Sequence, residues 1–281
     1  LKGGISSICT SKKITNATMK PESGSGALIF SGNSVLTDMC FFDVSLNSFT
    51  GSACLADNVI ITDKAGYAIN TRGGGSVQCH NALVYGCERA VYAFEGGTVD
   101  APDSEFYAST GIQVFANGGG TIRMPRTKVH DGALGGVKCD YSSHIQMANS
   151  EVINNAGVGI ASESCSSVFA FESVISDNGA WALTTSHNGY IQARATTISN
   201  NGNAVANPIA AITTLTGGFI TITEAVITTD NRANSDGAII QAKANGFIMS
   251  EPAGGIGKEA LSVSHYNPPF GIIGNGSAII Y

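Results

Sequence analysis

The chain has 281 residues, of which 43% are hydrophobic and only 13% charged, with a net charge of −6. Its 15 Lys plus Arg are scattered rather than clustered, which argues against a nucleic-acid partner, because phosphate binding needs a concentrated basic surface. No apolar run approaches the roughly 20 residues that span a bilayer, which argues against membrane insertion.

The composition favours short strands over long helices, with 35 glycines, abundant Ser, Thr and Asn and only 7 prolines. The chain opens at Leu1 without a methionine, and a fragment of a longer protein is the favoured explanation. Residues 1–57 read as irregular coils of a solenoid, in which KITNATMK, ALIF and CFF are the strand-like runs. Residues 58–250 read as regular coils of about 23 residues. Residues 251–281, with EPAGG, NPPFG and the apolar ending AIIY, read as a cap that covers the open edge of the last coil.

The period is visible in columns. Val77, Val99, Ile122, Ile145, Val168, Ile191 and Ile220 are spaced by 22, 23, 23, 23, 23 and 29 residues. Two positions later run Cys79, Ala101, Met124, Met147, Ala170, Ala193 and Ile222, all apolar. A third column is Ile61, Val84, Phe106, Val129, Ile153, Ile175, Ile198 and Ile227, and it opens turns such as INNAG and ISDNG. A fourth is Ile69, Val91, Ile112, Val137, Ile160 and Leu183. Three short alternating segments per period cannot each bury a face alone, but stacked parallel segments close a shared core. The expected fold is therefore all-β: a single-stranded right-handed parallel β-helix, its hand following the general preference for right-handed parallel crossovers. About ten coils would make a rod about 50 Å long.

Seven cysteines, odd in number and without CxxC pairs or His-spaced ligand patterns, argue against both a disulfide framework and a zinc site. Several fall at interior positions of the repeat, as expected for folding in a reducing cytosol. Neither metal nor cofactor is expected. The turn residues Asn154, Asn155, Asp177, Asn178, Asn200 and Asn201 fit local backbone bonding better than metal ligation. The glycine runs 73–75 and 118–120 lack the lysine and helix of a phosphate loop.

Outward positions carry the candidate chemistry. Gln78, Asp100, Arg123, Gln146, Phe169, Gln192 and Thr221 form a largely polar ladder that either contacts sugar hydroxyls or is a solvated or intersubunit face. Three residues beyond the fourth column run Arg72, Phe94, Phe115, Asp140, Glu163 and Ser186. Stacked coils bring neighbours in such a row within about 5 Å. Phe94 and Phe115 would offer rings to sugar faces, and Asp140 and Glu163 would form a carboxylate pair able to divide into acid and base. The plain alternative is a solvated surface. Lys138 and His144 are close enough in sequence to share that face; His130, His80 and Asp131 are weaker candidates.

At GTVDAPDSEFYASTGIQVFANGGGTI and SVISDNGAWALTTSHNGYIQA the chain resembles the β-helical bodies of bacteriophage tailspikes and related pectate-lyase-like proteins. The likeness spans roughly residues 20 to 250 and consists of periodicity, so it speaks for architecture and says little about chemistry. The resemblance implies a homotrimer of a virion tail, assembled in the host cytoplasm with other tail proteins. It also implies binding, and in many members cleavage, of bacterial capsule or lipopolysaccharide. A particle-binding amino-terminal region is missing from the sequence. The competing expectations are a noncatalytic β-helical adhesin and a secreted polysaccharide lyase; for the latter, no acidic cluster accompanies Arg123.

Overall fold

The computed structural model describes residues 33–62, 65–202, 210–227 and 240–249, together with strands at Ser6–Cys9, Lys13–Thr15, Thr18–Met19, Gly26–Phe30, Ile273–Asn275 and Ile279–Ile280. Among these residues there are strands and turns but no helix. Two parallel sheets run the length of the molecule, one of 12 strands and one of 20. At the strand spacing of about 4.8 Å, the 12-stranded sheet is about 50 Å tall.

The larger sheet is bent. Asn33–Phe42 and Ala53–Thr62 cross the bend as single ten-residue strands. Later coils split the same path into two pieces, such as Ser76–His80 and Leu83–Tyr85. The residue at the bend has positive φ throughout, as at Asp38 (54°), Asn58 (51°), Asn81 (52°) and Asp103 (56°). Asn and Asp tolerate this left-handed conformation best among residues with a side chain.

The core is the stack of inward columns. Val77 pairs with Val99, and the register continues through Ile122, Ile145, Val168, Ile191 and Ile220. All of these are fully buried, as are Cys79, Ala101, Met124, Met147, Ala170 and Ala193. Each buried Val or Ile contributes about 1.5–3 kcal/mol. Ile198 pairs with Ile227, 29 positions on, so the insertion after Asn201 leaves the register intact.

Two of the expected column members are displaced. The third column passes through Val152, which pairs with Val129 and Ile175, whereas Ile153 faces outward between His130 and Ser176. A slip of one residue reverses the face of a strand, and the apolar pair Val152–Ile153 hid it. The fourth column passes through Val114, the partner of Val91 and Val137, and Ile112 lies opposite Gly135 instead. Gln113 and Val114 are adjacent and both fully buried, so the chain turns a corner there and simple alternation fails.

Each coil closes through a tight corner. A Cβ on Gly120 would collide with the carbonyl oxygen of Ala93, and one on Gly189 with that of Ser162. Where serine occupies the same corner its hydroxyl is bonded inside, Ser166 Oγ donating to the carbonyl of Cys139 at 2.8 Å. Buried polar ladders complete the interior. Thr127, Ser150 and Thr196 donate to the carbonyls of Ala101 (2.7 Å), Met124 (2.9 Å) and Ala170 (2.9 Å). Asn155 donates to Asn178 Oδ1 at 2.9 Å, and Asn178 to Asn201 Oδ1 at 3.0 Å. These bonds run from coil to coil along the stack and satisfy the buried amides, which must be bonded.

Of the expected cap at 251–281, all but two strands lies outside the described residues. Ile273–Asn275 pairs with Ile240–Lys243 and Ile279–Ile280 with Phe247–Met249, both in parallel. Toward the other end, Gly26–Phe30 and Val44–Phe49 already lie in register in the 12-stranded sheet.

Candidate functional site

The candidate residues divide between two outward faces. On the 12-stranded sheet, Arg72 lies opposite Phe49, Phe94 opposite Asn117, and Asp140 and Glu163 follow on the next two coils, held by bonds from their amides to Ala116 and Cys139. Asn117 therefore takes the place expected for Phe115. Phe115 sits one row over, between Tyr92 and Lys138. The displacement follows from the corner at Gln113. Phe115 is also buried rather than open, at 9% exposure.

This shift builds a cluster. Tyr92 stacks on Phe94 with centroids 4.8 Å apart and on Phe115 at 5.4 Å, and Tyr67 lies 4.8 Å from Tyr92. The guanidinium of Arg89 lies 4.9 Å from the Phe115 centroid, 5.2 Å from Tyr67 and 5.4 Å from Tyr92. Arg72 lies 4.4 Å over Phe49 and 6.0 Å from Phe94. Tyr67, Arg89 and Tyr92 were not singled out from sequence. The signal available was the alternation Tyr92–Ala93–Phe94, which turns both rings outward from a strand whose Ala93 is core.

Beside this cluster stand the two carboxylates. Lys138 Nζ is 3.0 Å from Glu163 Oε2 and 3.8 Å from Asp140 Oδ2, so one ammonium bridges both. Asp140 is 8% exposed and its Oδ1 accepts from the amide of Tyr141 at 2.9 Å. Burial pushes the Tyr92 phenol above its ordinary range, against the opposing pull of its hydrogen bond to Asn117.

The larger sheet carries the other candidates. Gln78, Asp100, Arg123, Gln146, Phe169 and Gln192 form one register row. His144 belongs to this face rather than to that of Lys138: it pairs with Thr121 and Ser167, and its ring is 5.0 Å from Phe169. Its Nδ1 is 2.9 Å from Ser167 Oγ, and burial lowers its pKa. A corner separates it from Asp140. Tyr190, Phe219 and Phe247 extend the row of rings upward in stacks of 5.4 and 4.8 Å.

His130 stacks on Tyr107 at 5.1 Å, with Nε2 2.8 Å from Glu105 and Nδ1 2.6 Å from Asp131. His80 ends the strand Ser76–His80, half-buried. Among the described residues no group of three or more His, Cys, Asp or Glu is placed to hold a metal ion.

No curated protein matches the chain. Among solved structures, the A-module of mannuronan C-5 epimerase AlgE4 from Azotobacter vinelandii is similar at 12% identity and a TM-score of 0.45, over 86% of this chain and 91% of that one. The family described as Right handed beta helix region matches residues 2–227. With that match spanning most of its length and two parallel sheets in continuous register, the chain belongs to the right-handed β-helix family.

Proposed function

We propose that this β-helix is the shaft of a bacteriophage tailspike or tail fibre that recognises a bacterial surface polysaccharide, capsule or lipopolysaccharide, through the outward face of its 12-stranded sheet. The observation that carries the reading is the platform of Tyr67, Tyr92 and Phe94, set on rigid strands beside the charged group Lys138, Asp140 and Glu163. Rings ordered by their neighbours contact a sugar chain without a large loss of side-chain freedom, and flanking charges orient hydroxyls. Assembly in a host cytoplasm, ahead of incorporation into a virion tail with other tail proteins, is supported by Cys79 and Cys139, which burial holds as thiols.

Recognition is the primary reading because Lys138 occupies the space between the carboxylates. Depolymerisation is a second reading, favoured by the placement of Asp140 and Glu163 on adjacent coils next to the platform. A homotrimer is proposed because the partly exposed Phe169 and Tyr190 face outward on the other sheet. Light scattering should give a mass near three times 28.8 kDa; a mass of one chain would remove the trimer from the proposal.

The decisive experiment incubates the protein with capsule and lipopolysaccharide preparations and follows retention and released oligosaccharides by mass spectrometry. Retained intact polymer supports a receptor-binding rod. Unsaturated or water-added fragments identify a lyase or a hydrolase. The absence of both retention and release across the panel would overturn the reading.

A further inference from the structure

We infer that the aromatic platform carries an anion subsite, formed by Arg72 and Arg89, which directs the face toward acidic polysaccharide. The inference rests on the glycan-binding reading and deepens it. The two guanidinium groups stand at opposite ends of the stacked pair Tyr92–Phe94: Arg89 lies 5.4 Å from the Tyr92 centroid and Arg72 lies 6.0 Å from that of Phe94. Among the described residues neither makes an ion pair with a carboxylate, although Glu88 adjoins Arg89 in sequence; the ion pairs of this face join Lys138 to Asp140 and Glu163. In a chain of net charge −6, two arginines on one face that stack on rings are unexpected.

Their surroundings fix them for a ligand. Arg89 is held by three rings, and its buried Nε has no hydrogen-bond acceptor. That Nε is closed to solvent, so a ligand oxygen meets the partly exposed Arg89 at the terminal nitrogens of its guanidinium. Arg72 is exposed and lies flat on Phe49. Ring stacking orders a guanidinium while leaving its N–H edge open, and that edge matches the two oxygens of a carboxylate or phosphate. The ligand class that satisfies both features is a glycan chain that runs along the outer edges of Tyr92 and Phe94 while acidic substituents reach the arginines on either side.

The test measures binding of the full chain to polygalacturonate, to its carboxyl-reduced neutral form and to a phosphate-bearing mannan, using wild type, Arg72→Gln, Arg89→Gln and Arg72→Lys. The expected result is binding of an acidic polymer that exceeds the neutral form, falls with salt, and weakens about tenfold or more in each glutamine variant, with Arg72→Lys between. Polygalacturonate against phosphomannan distinguishes carboxylate from phosphate. Equal binding of the neutral and acidic polymers overturns the anion subsite while leaving glycan recognition standing. Loss of acidic binding in the arginine variants but not in Tyr92→Ala or Phe94→Ala supports the anion subsite and overturns the part assigned to the rings. If Arg89→Gln unfolds, the exposed Arg72→Gln still decides. If the arginine variants alter only the mass in solution, the face belongs to a second copy of the chain and the inference is wrong.

Discussion

Tyr92 and Phe94, two residues apart on one strand, stack with ring centroids 4.8 Å apart and an interplanar angle of 12°. Alternation sends both outward while Ala93 between them is fully buried. Their separation is therefore set by the backbone of a strand paired on both sides rather than by loop geometry, and the platform exists before any ligand arrives.

Replacing both rings, Tyr92→Ala with Phe94→Ala, should weaken glycan retention about tenfold or more while the thermal transition moves by only a few degrees. Retention assays beside circular dichroism check this. Unchanged retention would move the site to the face of Asp100, Arg123 and Gln146.

At the charged group, Asp140→Asn and Glu163→Gln should leave binding largely intact and abolish any cleavage, since each amide keeps its shape but not its proton-transfer capacity. Lys138→Met should instead lower stability by about 1–2 kcal/mol, because it leaves the nearly buried Asp140 without its cation. Denaturant titration measures the second effect and product analysis the first. Cleavage that persists in both amide variants would place the chemistry elsewhere.

Inside the turn, Asn178 donates to the Val152 carbonyl at 3.0 Å and accepts from both the side chain and the amide of Asn155. Asn178→Ala should cost about 2–4 kcal/mol by leaving those buried groups unpaired. The exposed Asn154→Ala should cost less than about 1 kcal/mol. Equal losses in urea melts would mean that the interior ladder contributes nothing special.

Burial pushes the Cys139 thiol up to about 12 from its ordinary 9.0. Between those values the folded rod retains a proton that the unfolded chain has lost, so stability is complete below pH 9 and falls as pH rises toward 12. The slope approaches about 1.4 kcal/mol per pH unit for that one thiol. Cys139→Ala, flanked in its column by Ala116 and Ser162, should flatten the alkaline decline. An unchanged decline would assign it to other groups, Cys79 first, whose thiol burial also raises.

The inward columns were legible because Val, Ile, Met and Cys recur with a constant neighbour-to-neighbour offset. Legibility failed where two apolar residues were adjacent. Nothing in Val152–Ile153 tells which one faces in, and at Gln113–Val114 a polar side chain enters the core beside an apolar one because Asn155 and the His130 carbonyl receive it at 3.0 and 2.5 Å. The same corner moved Phe115 off the row of Phe94. Arg72, Phe94, Asp140 and Glu163 were placed correctly in one row, whereas Arg89 and Tyr92 were missed. Their role depends on contacts across neighbouring rows, and a linear period carries no information about those.

The 29-residue step from Ile198 to Ile227 separates two kinds of sequence change. The core demands that equivalent side chains meet, but it does not fix how many residues separate them in the chain. Chain length between coils can therefore change while the coils on either side remain in step, so the 23-residue period is a habit of the sequence that the core itself does not require.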